Sequence, residues 1–147
     1  MWSEFRFRNQ NNWRKRKLKN KKKTVLVVLG GISKEREVSL NSGRACIKAL
    51  KKLGYKVNRI DPKFKALNQI DKLKNDYIFN ALHGKYGEDG NAQSMFEYLQ
   101  IPYTHSGVIS SVNSMDKVIS KEIFIENKIL TPKYFDINTK NISFANL

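Results

Sequence analysis

The sequence predicts an α/β fold in which a parallel sheet carries helices on both faces. Residues 24–29 form an unbroken apolar run, rich in β-branched side chains, which is typical of a strand buried on both faces. Strand-like and helix-like segments then alternate, which indicates βαβ units with right-handed crossovers. Polar, glycine-rich loops follow the strands, where parallel sheets bind their ligands.

The individual elements follow from hydrophobic periodicity and from the residues that end each segment. Apolar residues at intervals of three and four predict a helix over residues 37–53, which Gly54 ends. The other predicted helices cover residues 92–99, 110–114 and 116–127, and the predicted strands cover residues 24–29, 55–60, 77–82, 101–104 and 133–137. Residues 63–75 are left open, with a short helix as one possibility. The predicted inward-facing residues are Leu40, Gly43, Cys46, Ile47, Leu50 and Leu53 in the first helix and Met115, Val118, Ile119 and Ile123 in the last.

Length and composition limit the classes of protein to which this chain can belong. Its 147 residues provide one domain with little room for a second, and a hydrophobic content of 40% is enough for a packed core. No apolar run approaches the ~20 residues that a membrane-spanning helix needs. Cys46 is the single cysteine, which excludes an intrachain disulfide and favours the reducing cytoplasm.

The net charge of +15 is uneven along the chain. Residues 1–23 hold ten Lys or Arg and one acid, a net charge of +9, whereas residues 24–147 hold 18 basic and 12 acidic residues, a net charge of +6. We interpret residues 1–23 as a basic, disordered leader, or as codons upstream of the true start, and expect residues 1–22 to be dispensable. The alternatives are an arm that contacts nucleic acid or anionic lipid, and a transit peptide. A secretory signal is excluded because no apolar stretch follows the charges.

The loop after the first strand, residues 30–37, carries two adjacent glycines, a serine and four charged residues. Asp61 could serve as the ribose-binding acid of a dinucleotide site, but the pattern G-x-G-x-x-G is absent, which disfavours such a site. Glu35 lies near a predicted helix N-terminus, where the helix dipole stabilises an anion that could hold a substrate ammonium. The alternative for Glu35 is a helix-capping acid without a ligand.

The loop after the third strand, residues 83–90 (HGKYGEDG), has three glycines among polar side chains. His83 can titrate near neutrality or donate to a carboxylate, and the alternative is a core histidine satisfied by backbone groups. A metal site built from His83, Glu88, Asp89 and His105 is disfavoured, because the spacing matches no standard set of ligands.

Several separated motifs resemble those of the D-alanine–D-alanine ligases, a family of ATP-grasp ligases, in the same order and spacing. The two signatures correspond to residues 30–43 (GGISKEREVSLNSG) and 83–94 (HGKYGEDGNAQS). Residues 101–108, 114–117 and 120–121 continue the order, and the Thr131-Pro132 pair falls at the family's interdomain turn. The resemblance covers residues 24 to about 137, and it implies a flavodoxin-like, pre-ATP-grasp domain followed by the start of an ATP-grasp region.

The resemblance implies a reaction that uses ATP and Mg²⁺ to phosphorylate one D-alanine on its carboxylate. The amine of a second D-alanine attacks the acylphosphate, which gives D-alanyl-D-alanine for peptidoglycan precursors. Glu35 matches the glutamate that binds the ammonium of the first D-alanine, and Val38 and His83 match residues of the same pocket. Lys117 matches a lysine that reaches the nucleotide. The complete enzyme is expected to be a cytoplasmic homodimer with D-alanine and ATP as partners, without membrane or nucleic acid.

The chain departs from the family at two positions and in length. His105 and Ser94 stand where the family often has glycine, which puts the backbone conformation at His105 in question. Members of the family are much longer, and the missing part supplies the phosphate loop and the magnesium ligands. We therefore expect residues 24–115 to form the D-alanine-binding domain and residues 116–147 to form a linker helix and the first strand of a truncated ATP-grasp domain. Such a chain is expected to be inactive by itself.

Two alternative functions remain at this point. The chain could be a fragment of a ligase that makes D-alanyl-D-lactate, because the residues that select the second substrate belong to the missing part. It could also be a small α/β binding module with a nucleic-acid-binding basic arm. The second alternative does not explain why both glycine-rich loops stand in the order and spacing of the ligases.

Overall fold

The computed structural model of the protein describes residues 23–71 and 74–134. Among these residues, no helix is long and apolar enough to cross a membrane. The chain divides into two compact units, one ending at Val112 and the other beginning at Asn113. The elements are, in order, β1 (Thr24–Val28), α1 (Arg36–Lys52), β2 (Lys56–Ile60), a 3₁₀ helix (Leu67–Gln69), β3 (Tyr77–Asn80), α2 (Asn91–Tyr98), α3 (Val108–Met115) and α4 (Lys117–Glu126).

The three strands form one parallel sheet in the order β2-β1-β3. β1 is the central strand, so that Val25 lies opposite Val57 of β2 and Tyr77 of β3. The same order is found in flavodoxin-like sheets, where the second and third strands lie on opposite sides of the first. The predicted parallel α/β sheet is confirmed, and each of the three strands is slightly shorter than predicted.

β1 is buried because helices cover both faces of the sheet. Leu26 and Val28 face a cluster that includes Phe96 of α2. Val27 and Leu29 face the opposite side, against α1. The side chains of α1 that pack there are Leu40, Ile47 and Leu50. Alternate residues of one strand thus contact two helical layers, which confirms the prediction of helices on both faces.

A buried hydroxyl joins α1 to the ends of two strands. Ser39 is fully buried, and its Oγ accepts a hydrogen bond from Gly30 N at 2.7 Å and donates one to the carbonyl oxygen of Ala81 at 2.7 Å. Both backbone groups lie just beyond the carboxyl ends of β1 and β3. Ser39 therefore satisfies polar groups that would otherwise be buried without partners.

The predicted fourth strand, residues 101–104, is wrong as a strand, because only one isolated parallel bridge forms between Ile78 and Tyr103. Pro102 has no N–H group and can only accept, which it does from Ile78 N at 2.8 Å. Beyond Tyr103, the hydroxyl of Thr104 replaces a backbone acceptor for Asn80 N at 3.0 Å. The chain then turns at His105, where φ is +92°.

The predicted inward faces of two helices are partly wrong. Leu53 is 41% exposed because it caps α1 just before Gly54, whose φ of +92° turns the chain. Met115 and Ile119 are also exposed, and no residue of α4 is buried, because the described part of the second unit provides no sheet or further helical layer to cover α4.

The remaining predictions concern the last two helices, residues 63–75 and residues 133–137. Both helices predicted over residues 110–114 and 116–127 exist as α3 and α4, and the side chain of Asp116 caps α4 by accepting from Val118 N and Ile119 N. The open stretch at residues 63–75 contains the 3₁₀ helix. The strand predicted over residues 133–137 has no regular structure at its first two residues, and its other residues, like residues 1–22 of the leader, lie outside the described residues.

We predict that Gly43→Ala destabilises the fold by about 1–3 kcal/mol, the usual cost of overpacking. A Cβ at Gly43 would lie 2.5 Å from Leu29 Cβ, so α1 would have to move away from the sheet. Urea unfolding measures the change. Gly107→Ala is the matched control, because its Cβ would meet only Glu97 Oε1 at 3.5 Å, and equal effects of the two substitutions would contradict the prediction.

We also predict that Ser39→Ala destabilises the fold by about 1–3 kcal/mol for each backbone group that it leaves unpaired. The control is Ser94→Ala, because the Ser94 hydroxyl donates only to the carbonyl oxygen of Gly90, the N-cap residue of its own helix α2, at 2.8 Å. Thermal unfolding of both variants compares them. A Ser39 variant as stable as the Ser94 variant would show that the buried hydroxyl contributes little.

Candidate functional site

Three loops meet at the carboxyl ends of the parallel strands. Residues 29–35 follow β1, Asp61 follows β2, and residues 81–90 follow β3. The topology brings them together because the carboxyl ends of parallel strands lie at one edge of the sheet. Hydrogen bonds among these loops then decide which side chains stay free for a ligand.

The loop after β1 begins with two glycines in left-handed conformations. The φ angle is +86° at Gly30 and +76° at Gly31, a region that glycine adopts at low cost. Gly30 is also required sterically, because a Cβ there would lie 2.5 Å from Asp61 Oδ2. The chain can therefore turn off the sheet directly after β1 and enter α1 with the Asp61 carboxylate packed against it.

An ion pair ties this turn to the end of β2. Arg36 Nη2 lies 2.7 Å from Asp61 Oδ2, and Arg36 Nη1 donates to Asp61 Oδ1 at 3.0 Å and to the carbonyl oxygen of Gly31 at 2.7 Å. Asp61 Oδ1 also accepts from Gly31 N and Lys63 N, each at 3.0 Å. The acid that a dinucleotide site would have needed is therefore occupied inside the protein.

These bonds change the ionisation of Asp61. Burial raises the pKa of its carboxyl group, but the hydrogen bonds from Arg36, Gly31 N and Lys63 N outweigh burial and hold the pKa below its ordinary value. A carboxyl group with a lowered pKa stabilises the folded state above the pKa of the unfolded chain. This stabilisation is lost as the pH falls through the lowered folded-state pKa.

Ser33 connects the β1 loop to the β3 loop. Its hydroxyl donates to the carbonyl oxygen of His83 at 2.8 Å and accepts from Glu35 N at 3.0 Å. Two segments that are 50 residues apart are thus held in register by one side chain. The backbone of Glu35 is fixed relative to His83 as a result.

The Glu35 side chain points toward Gly84 and remains free. Glu35 occupies the N-cap position of α1, yet its carboxylate makes no capping hydrogen bond, and it forms no ion pair with the described residues. Glu35 Oε1 would lie 2.7 Å from a Cβ placed on Gly84, whose φ is +66°. The carboxylate can approach this closely only because residue 84 is glycine. Although Glu35 stands at the N-cap position, it therefore does not act through a capping hydrogen bond.

His83 is held by side chains rather than by backbone groups. Its Nε2 lies 3.2 Å from Ser42 Oγ, and its Nδ1 lies 3.6 Å from Glu88 Oε1. Ser42 Oγ donates its hydrogen to the carbonyl oxygen of Val38 at 2.9 Å, so toward Nε2 it is available as an acceptor. The His83 side chain is about 31% exposed, so it is not the core histidine of the alternative interpretation.

Glu35, Val38 and Ser42 share one face of α1 because they are spaced by three and four residues. Val38 is 51% exposed, and Ser42 carries the hydrogen bond to His83. The structure thus brings three of the four predicted site residues, Glu35, Val38 and His83, to one side of α1. Lys117, the fourth, is the exposed first residue of α4 in the second unit.

Sequence reasoning missed several residues that organise this region. Helical spacing could have identified Ser42, because it follows Glu35 by two turns on the same face. The contacts of Ser33 and Glu88 leave no such signal in the sequence. Ser33 joins two loops that are far apart in sequence. The contact of Glu88 depends on a local turn, in which Glu88 Oε2 accepts a hydrogen bond from Gly84 N at 2.8 Å.

Other polar residues of the β3 loop stabilise the loop itself. Asp89 accepts from Tyr86 N at 2.9 Å and Asn91 N at 3.2 Å. The buried Asn80 and Gln93 amides both donate to the carbonyl oxygen of Gly87 at 2.9 Å. In the segments that the structure describes, no group of three or more His, Cys, Asp or Glu side chains could hold a metal ion.

A cavity of about 250 Å³ borders the same loops. Gly31 and Ser33 line one wall, His83 and Tyr86 line another, and Leu82 contributes to the apolar lining. Glu35 is not among the residues that line the cavity, and its carboxylate lies against Gly84, next to His83 in the chain.

Comparison with known proteins gives a consistent result. The family model described as "D-ala D-ala ligase N-terminus" matches residues 58–106. A D-alanine–D-alanine ligase from Pelagibacter ubique is 55% identical over 118 residues, which cover 80% of this chain and 39% of that protein. One from Agrobacterium fabrum is 54% identical over 101 residues, which cover 69% of this chain and 33% of that protein. The chain thus spans well under half the length of these relatives.

Solved structures agree with the sequence matches. A D-alanine–D-alanine ligase from Bacillus anthracis, complexed with ATP, is 34% identical with a TM-score of 0.68, covering 84% of this chain and 43% of that one. The ligase from Aeromonas hydrophila, at 24% identity, shares the fold with a TM-score of 0.72, covering 82% of this chain and 52% of that one. In sequence and in fold, this chain resembles the N-terminal part of the D-alanine–D-alanine ligases.

Proposed function

We propose that this chain provides the D-alanine-binding, N-terminal part of an ATP-dependent D-alanine–D-alanine ligase. One observation carries the proposal: Glu35 presents a carboxylate without partners among the described residues, on a face shared with Val38 and beside His83. A free anion at a helix N-terminus is a suitable partner for a substrate ammonium. Relatives that are 54–55% identical and named D-alanine–D-alanine ligase support D-alanine as that substrate.

The proposed roles follow from the chemistry of each side chain. Glu35 binds the ammonium of the first D-alanine through a charge-assisted hydrogen bond. Val38 offers an exposed apolar contact one turn further along α1, suited to the methyl group of alanine. His83, fixed by Ser42 and Glu88, lies close to the bound amino acid. Positioning the substrate in this way lowers the entropic cost of a reaction between two amino acids.

The nucleotide and metal are proposed for the complete enzyme only. The Bacillus anthracis relative is described as complexed with ATP, and we propose Lys117 as a cation that offsets phosphate charge here. Magnesium would stabilise the charge of the transferring phosphoryl group. Residues 23–71 and 74–134 contain no cluster of side chains suited to hold it, so no metal ligand is assigned to them.

The proposed function of the complete enzyme also needs the parts of the relatives that this chain does not cover. Residues 24–115 would form the D-alanine-binding domain, and residues 116–147 would begin the ATP-grasp region. The complete enzyme would act as a homodimer in the cytoplasm, supplying D-alanyl-D-alanine to peptidoglycan synthesis. The single cysteine fits a reducing cytoplasm, and the name of the relative that is 55% identical supports D-alanyl-D-alanine as the product.

We predict that Glu35→Gln weakens D-alanine binding to this chain by about tenfold or more, because a hydrogen bond to a charged group contributes about 1.5–3 kcal/mol. The measurement is a titration of the ¹⁵N-labelled 147-residue chain with D-alanine, followed by NMR. Glu37→Gln is the matched control, because it removes the same charge from the first turn of α1 on a different side of the helix. Equal affinities of the two variants would contradict the role of Glu35.

The same substitution has a kinetic consequence in the complete enzyme. Glu35→Gln should lower kcat and raise the KM for the first D-alanine, because the charged partner of its ammonium is lost. Steady-state kinetics at saturating ATP separate the two parameters. If neither changes, Glu35 takes no part in binding the substrate.

We predict that the 147-residue chain alone releases no phosphate from ATP in the presence of D-alanine and Mg²⁺. Acylphosphate formation needs several donors and a metal ion around the transferring group, and Lys117 is the one nucleotide contact proposed here. A coupled phosphate assay against a protein-free blank makes the measurement. Release above the blank would show that the nucleotide site has been assigned to the wrong residues.

A further inference from the structure

Two adjacent residues at the start of α1 point to different partners. Glu35 lies against Gly84 of the β3 loop, whereas Arg36 reaches back to Asp61 at the end of β2. Glu35 is the N-cap residue and Arg36 the first residue of α1, so fixing the backbone at Arg36 also fixes the direction in which the Cα–Cβ bond of Glu35 leaves the chain.

The Arg36–Asp61 pair restrains geometry as well as charge. Gly31 is held by both of its backbone groups: its N–H donates to Asp61 Oδ1, and its carbonyl oxygen accepts from Arg36 Nη1. The guanidinium meets the carboxylate at two points, which sets an angle that a single contact would leave free. The side chains of Arg36 and Asp61 are only 21% and 19% exposed, so water screens the pair weakly.

Glu35 needs such a restraint because its own carboxylate has none. It makes no capping hydrogen bond and no ion pair with the described residues. Its position depends on its backbone, which Ser33 holds on one side and Arg36 on the other.

We propose that Arg36 and Asp61 are positioning residues that hold the Glu35 carboxylate against Gly84, in the orientation that receives the substrate ammonium. The part concerning the ammonium rests on the proposed function, whereas the position of Glu35 can be measured without any ligand. A pair that only stabilised the fold would lower the melting temperature and leave Glu35 beside Gly84 in every folded molecule. If the pair positions Glu35, its removal also increases the distance between the Glu35 side chain and Gly84.

The test uses the 147-residue chain, labelled with ¹³C and ¹⁵N, and four variants. Nuclear Overhauser contacts between the Glu35 side chain and the Gly84 α-protons report their distance directly. Asp61→Asn removes the charge and one acceptor, and Arg36→Lys keeps the charge but loses the two-point contact. Asp76→Asn is the matched control: Asp76 also pairs with a cation, Lys23, and accepts from a backbone amide, Thr24 N, but not in this loop. Glu35→Gln calibrates the loss of D-alanine binding.

We expect the contact to persist in the wild-type chain and in Asp76→Asn and to weaken about threefold or more in Asp61→Asn and Arg36→Lys. D-alanine affinity should fall about tenfold in Asp61→Asn, because a displaced Glu35 carboxylate loses part of its charge-assisted hydrogen bond to the ammonium. An unchanged contact in folded Asp61→Asn, or its absence from the wild-type chain, overturns the proposal. If Asp61→Asn does not fold, Arg36→Lys decides in the same way.

The two proposals fail in different ways. A wild-type chain that shows the Glu35–Gly84 contact but binds no D-alanine contradicts the proposed function and leaves the positioning result standing. A chain that binds D-alanine equally well with and without the Arg36–Asp61 pair contradicts the positioning role and leaves the proposed function standing.

Discussion

The left-handed turn at Gly30 and Gly31 is the constraint on which the rest of the structure depends. It ends β1, directs the chain into α1 and leaves room for the Asp61 carboxylate where a side chain at Gly30 would collide with it. The turn also places Gly30 N within reach of Ser39 and Gly31 N within reach of Asp61. Helix, sheet and loop are thus joined at one point, so a change there affects packing and site together.

The acids around this turn differ in what they are free to do. Asp61 and Asp89 are bound by backbone N–H groups, and Glu88 accepts from Gly84 N and lies beside His83. Glu35 has no such donors. Because a carboxylate that is already hydrogen-bonded gains less from a new partner, the free one is the better candidate for binding a cation. Asp61, Asp89 and Glu88 instead fix the conformation of the loops around Glu35.

Much of the fold could be predicted from the sequence because local patterns determine it. The apolar run at residues 24–29 can be satisfied only in a sheet that is covered on both faces, and the periodicity after it fixes α1. The segment at residues 101–104 was predicted as a strand because its composition suits one. Pro102 and the strained turn at His105 limit it to a single bridge, and neither effect is visible in hydrophobic periodicity.

The candidate site was less predictable because its organisation depends on contacts between distant residues. Asp61 was correctly placed at the end of β2, but nothing local indicates that Arg36 is its partner, 25 residues away. Ser33 and His83 meet across 50 residues through a backbone carbonyl, a contact that depends on the final geometry of two loops. The sequence therefore shows which residues carry charge, whereas the three-dimensional structure is needed to see which of these charges remain unpaired.

The turn at His105 shows how a departure from a motif can be compensated. Its φ of +92° is strained for any residue with a Cβ, and glycine would adopt this conformation at lower cost. His105 also contributes a hydrogen bond: its Nδ1 lies 3.1 Å from Asn80 Nδ2, and the same amide nitrogen donates to the carbonyl oxygen of Gly87. Both amide hydrogens of the buried Asn80 therefore have acceptors. A side chain that strains one loop thus helps to satisfy the residue that supports the β3 loop, where His83 lies.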